Sequence, residues 1–160
     1  MDDLDIDMQE YRKQEKIFAK QVERNYKGIE LEKQGRVDEA IELYEQNIEE
    51  NFEGSHPYTR LATIYNKKKR KDDEIRVLKR AIYVFENIIP SMRGDKSPKL
   101  EKYKERLRKL VPEEEVEKAS KEEPTKLSDI KDVIEVLKIR YVKGEITREE
   151  FKQMKKDIEG

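Results

Sequence analysis

Very few side chains in this sequence are of a type that could carry covalent or metal chemistry. His56 is the single histidine, and there is no cysteine. Residue type alone therefore rules out a thiol nucleophile, a thiolate zinc site and a multi-histidine metal centre. His56 sits in Gly54-Ser55-His56-Pro57, just before a proline, and reads as a surface or capping residue at a helix start. No Ser/His/Asp grouping can be built around it. Asp2, Asp3, Asp5 and Asp7 alternate with Leu4 and Ile6, a spacing like that of a calcium loop. The glycine and terminal glutamate of such a loop are missing, so these residues read as an acidic end. The glutamates at 113–115 and Glu149-Glu150 read as solvated faces or caps, and there is no glycine-rich phosphate loop. The run Lys67-Lys68-Lys69-Arg70-Lys71 could attract phosphate or an acidic partner, but it falls between two helical patterns and reads as a solvated turn. The expectation is a non-enzymatic protein with no cofactor and no metal.

Composition narrows the class. Of 160 residues, 34% are hydrophobic and 46% charged, and the six glycines and five prolines are too few for a strand-rich fold with many turns. No apolar run approaches the ~18 residues of a membrane span, and the acidic beginning is the opposite of a secretory leader. Together with the absence of cysteine, this predicts a cytoplasmic protein without membrane contact. The net charge of −1 hides an asymmetry: residues 1–55 hold 8 basic and 16 acidic residues, whereas 56–110 hold 17 and 7. The simplest consequence is mutual neutralisation within one helical stack. The sharper one is a basic surface for an acidic partner, which makes a nucleic-acid-associated regulator using 56–110 the alternative function. No stacking platform or known nucleic-acid reading motif accompanies the charge.

Apolar spacing is helical almost throughout. An N-terminal helix carrying Tyr11, Ile17 and Phe18 leads into a stripe of Val22, Tyr26, Ile29 and Leu31 that stops at Gly35. A second helix runs from Asp38 to about Asn51 through Ala40, Ile41, Leu43, Tyr44 and Ile48. Pro57 opens a third with Tyr58, Leu61, Ala62, Ile64 and Tyr65. A fourth follows Asp72-Asp73-Glu74 with Ile75, Leu78, Ala81, Ile82 and Phe85, and stops at Pro90. Ser97-Pro98 caps a fifth with Leu100, Tyr103, Leu107 and Leu110. Residues 112–126 have one sizeable apolar side chain, Val116, and 111–126 is expected to be a charged, flexible linker. Leu127 to Val142 forms another helix, Gly144 breaks it, and Thr147-Arg148-Glu149-Glu150 is a capping box before a short helix with Phe151, Met154 and Ile158.

At a shift of 34 residues, Gly28 aligns with Ala62, Leu31 with Tyr65, Ile41 with Ile75, Tyr44 with Leu78 and Ile48 with Ile82. With Gly35 and Asp38-Glu39-Ala40, this pattern resembles the tetratricopeptide repeat (TPR), a 34-residue helix–turn–helix unit. The tail resembles the short C-terminal (SHOCT) domain on Leu137, Tyr141, Gly144, Ile146-Thr147-Arg148-Glu149-Glu150-Phe151 and Lys155. The resemblances imply an all-α fold: a TPR-like superhelical stack over 1–110 with N- and C-terminal capping helices, the linker at 111–126, and a two-helix SHOCT hairpin over 127–160. They also imply a protein-protein interaction scaffold or adaptor. The partner segment of TPR-like proteins lies against the first helix of each unit, which here offers Asn25, Ile29, Glu32, Thr59, Arg60, Thr63, Asn66 and Lys67. The carboxylate clamp of some relatives needs a lysine and an asparagine where Asn25 and Ile29 stand, so that specificity is not expected. The SHOCT-like tail implies oligomerisation or docking. Its two short helices cannot bury Val133, Leu137, Ile146, Phe151 and Met154 by themselves, and these are expected to form the self-association surface.

Overall fold

The structure, a computed structural model, describes residues 2–159. Among these residues there are eight helices and no strand. They are α1 (Asp3–Lys33), α2 (Val37–Glu49), α3 (His56–Lys67), α4 (Lys71–Asn87), α5 (Lys96–Arg108), α6 (Glu113–Lys121), α7 (Leu127–Val142) and α8 (Arg148–Glu159). They run as four consecutive hairpins, α1–α2, α3–α4, α5–α6 and α7–α8, with α5 and α6 each packed mainly on α4. The first three share one core.

Turn chemistry decides where the helices stop. Gly35 adopts φ 77°, its N–H bonds the Glu32 carbonyl, and Arg36 N–H reaches back to Leu31. This left-handed closure satisfies carbonyls that the helix end would otherwise leave open. The same closure recurs 34 residues later with Lys69 in place of glycine: φ is 58°, Lys69 N–H bonds Asn66, and Arg70 N–H bonds Tyr65. The arginine after each turn then pairs with an acid three residues on, Arg36 with Glu39 and Arg70 with Asp73. A β-carbon in the left-handed region costs about 1–2 kcal/mol. Lys69→Gly is therefore expected to raise stability by about 1 kcal/mol, read as a higher urea midpoint with an unchanged slope. No gain would mean that the lysine side chain offsets its own backbone strain.

Aromatic rings fill the core. Tyr58, Phe85 and Tyr103 meet edge to face with centroids 5.4–6.5 Å apart. Each buried tyrosine finds a hydrogen-bond acceptor: Tyr44 donates to Glu32, Tyr58 to the Phe52 carbonyl, Tyr65 to Glu45, Tyr103 to the Ser55 carbonyl. Tyr44 also explains Gly28. A β-carbon there would come within 2.5 Å of the Tyr44 ring, so α1 and α2 approach more closely than any larger residue permits.

Two expected elements differ. Residues 111–126 are not a solvated linker: α6 lies against α4, with Val116 and Ala119 buried in the common core. Lys79 pairs with Glu115, Asn87 donates to the Ser120 carbonyl, and Arg80 donates to the Pro124 carbonyl. The cause lies in α4, which buries residues on nearly all sides (Val77, Leu78, Arg80, Ala81, Ile82, Val84, Phe85) and so needs a cover on its second flank. Nor is there a separate N-terminal capping helix. Nothing between Tyr11 and Gly35 breaks the helix, so α1 runs unbroken for 31 residues, leaving Tyr11 and Phe18 exposed rather than folded over the hairpin.

Candidate partner-binding surfaces

The eight residues expected to line a groove lie on α1 and α3. An ion pair joins the two helices: Arg60 Nε and Nη2 donate to the two Glu32 oxygens at 3.1 and 2.5 Å. The Tyr44 hydroxyl donates to the same carboxylate at 2.8 Å, and the His56 ring stands edge-on to Tyr44 with Nε2 3.4 Å from its hydroxyl. Thr59 Oγ1 meets the Tyr103 hydroxyl at 3.1 Å, which ties α3 to α5. Asn66 donates weakly to the buried Glu74 carboxylate, 3.3 Å at best. The structure thus brings Glu32 and Arg60 together, engages Thr59 and Asn66 with neighbouring elements, half-buries Ile29 and Thr63, and leaves Lys67 exposed. The Asn25 side-chain oxygen is enclosed and has no hydrogen-bond partner, an unusual state for a polar atom.

The electrostatics follow from this geometry. Burial would raise the Glu32 carboxyl, but hydrogen bonds from Arg60 and Tyr44 outweigh it and hold the group below the ordinary carboxylate range. Burial pushes His56 below the ordinary histidine range, against the pull of Glu32. Both groups bind fewer protons folded than unfolded within their windows, so stability rises with pH there. Acidification should first cost stability below about pH 6.5 through His56, then below about pH 4 as Glu32 is protonated. His56→Gln should flatten the upper step in a series of thermal melts and leave the lower one. An identical pH profile would remove His56 from the account.

The acidic front and basic middle of the sequence do neutralise each other. Arg60 with Glu32, Arg76 with Glu45 and Lys68 with Asp38 each join a residue of 56–110 to one of 1–55. Sequence reasoning did not find the buried Glu45–Arg76 pair, which also takes the Tyr65 hydroxyl, or the buried Glu74. The only signal was positional, since Glu74 stands where the first unit has the buried Ala40.

In the tail, Thr147 and Glu150 form the capping box in both directions: Glu150 N–H to Thr147 Oγ1 at 3.1 Å, and Thr147 N–H to Glu150 Oε1 at 3.4 Å. α7 packs on α8 through Tyr141 and Phe151, whose ring centroids are 5.7 Å apart. Leu137 and Ile146 are buried, and Phe151 and Met154 are half-buried. Of the five residues expected to form the self-association surface, only Val133 stays exposed. The exposed apolar residues of α7 are instead Val133, Val136, Ile139, Tyr141 and Val142; Val133, Val136, Ile139 and Val142 follow a three-residue ridge that winds across half the helix, while Leu137 is buried.

Residues 134–159 match a family model described as "Short C-terminal domain", SHOCT. No curated protein matches the chain. No solved structure does either. The protein is all-helical with a SHOCT region at its C-terminal end. No helix among the described residues is long and apolar enough to cross a membrane, and no group of three or more potential metal ligands occurs among them.

Proposed function

We propose that this chain is a non-enzymatic adaptor acting in a reducing cytoplasm. Its TPR-like hairpins present the α1–α3 face to an extended segment of another protein, and its SHOCT tail holds copies or partners together. The observation that carries the reading is the exposed apolar ridge of Val133, Val136, Ile139 and Val142 along α7, where Val142 is 83% exposed. Contiguous apolar surface of this kind marks contact sites. On the body, Thr63 and Lys67 are the groove groups left for a partner, since Glu32 and Arg60 neutralise each other.

Sedimentation of the full chain at micromolar concentration tests the tail. The wild type is expected to sediment above monomer mass, and Val136→Asp/Ile139→Asp to lower the assembly state while the thermal melt stays the same. Both positions are outside the core, so the change should read out as association alone. An assembly state that ignores these substitutions overturns the tail as the self-association element.

A further inference from the structure

The N-terminal half of α1 carries a second apolar seam. Leu4, Met8, Tyr11, Phe18 and Val22 recur at the alternating four- and three-residue spacing of a two-helix contact, with Glu15 the one polar interruption. Leu4, Met8, Tyr11 and Phe18 are each at least half exposed. The seam reaches the body where Phe18 meets Phe52 of the α2–α3 turn, at 6.1 Å between ring centroids, and its last member, Val22, is half-buried there. Beyond that point α1 projects from the body as an arm with an unpartnered face.

Charge says what covers it. Residues 2–10 contain Asp2, Asp3, Asp5, Asp7 and Glu10 and no base. Residues 12–20 contain Arg12, Lys13, Lys16 and Lys20 against one acid, Glu15, whereas Arg24 beyond them is taken up by Glu50 at the end of α2. A parallel pair of such arms would lay acid on acid and base on base, whereas an antiparallel pair lays each acidic tip on the other copy's basic stretch. We infer that the α1 arm is a dimerisation element whose occupant is the α1 arm of a second copy, running antiparallel. Pairing centred near residue 13 puts Met8 of one copy against Phe18 of the other and Leu4 against Val22. This surface is separate from the tail and independent of the adaptor reading.

The absence of cysteine makes the orientation directly testable in the full chain. The background is Val136→Asp/Ile139→Asp, which silences the tail. Chains carrying Met8→Cys are mixed with chains carrying Phe18→Cys under mild oxidation. Antiparallel pairing predicts mixed disulfide dimers and no Met8→Cys self-dimer, because ten residues of helix separate the two thiols by about 15 Å. Raising the salt should weaken this association. Met8→Ser/Leu4→Ser, which touches only exposed side chains, should abolish it without shifting the melt. A Met8→Cys self-dimer without mixed dimers overturns the orientation. A monomer at every concentration in the tail-silenced chain overturns the arm as a contact.

Discussion

Leu78→Ala is expected to remove about 2–5 kcal/mol of stability, a fall in Tm of roughly 5–20 °C. Leu78 is fully buried on α4, the helix that touches α2, α3, α5 and α6. Its surroundings on the same helix (Val77, Ala81, Ile82) are fully buried as well, so little can collapse into the space left by the lost side chain. The truncation gives up both transfer free energy and contact with the cavity walls, which places it toward the costly end of that range. Val133→Ala, an exposed apolar truncation on α7, should stay within about 0.5 kcal/mol. Equal melts for the two variants would mean that α4 is not the centre of the body.

Val116→Asp should cost about 2–4 kcal/mol and release α6. Val116 is 1% exposed and, with Ala119, forms the buried face of a nine-residue helix. A carboxylate there is either buried without a partner or exposed by detaching the helix, and detachment costs less. The α4 flank is then open to water, and the polar anchors fail with it: Lys79 to Glu115, Asn87 to the Ser120 carbonyl and Arg80 to the Pro124 carbonyl. Limited proteolysis should cut the variant between 113 and 126 while the wild type resists. A solvated linker would tolerate the aspartate within about 0.5 kcal/mol, so the magnitude alone separates the two descriptions.

That second variant marks the limit of what the sequence discloses. Gly35, Pro57, Pro90 and the Thr147–Glu150 capping box are local signals, and the helix boundaries follow them because a cap or breaker acts within one turn. The C-terminal hairpin, where residues 134–159 match the short C-terminal domain model, was legible for the same reason. α6 was not. Its own composition cannot offset the entropy of ordering it, and the surface that compensates belongs to α4, whose contacts with residues 115–124 span 33 to 44 residues of chain. The groove was half legible. Helical spacing places Asn25, Ile29 and Glu32 on one helix and Thr59, Arg60 and Thr63 on another, yet nothing local says that Glu32 and Arg60 would pair across 28 positions. Tail exposure failed where two apolar faces of α7 compete for one partner, since periodicity shows both and only packing shows that Leu137 goes in and Val136 stays out.

The cover that α6 provides has a cost during synthesis. α4 is complete at Asn87, but its second flank stays open until Lys121 has left the ribosome. At ordinary elongation rates of about 5–20 residues per second, that is an interval of roughly 2–7 s in which a nascent chain shows an apolar helix side to water. Every shortened product ending before Glu113 keeps that side exposed for its lifetime. Premature termination in this stretch therefore yields a sticky species rather than a merely tailless one.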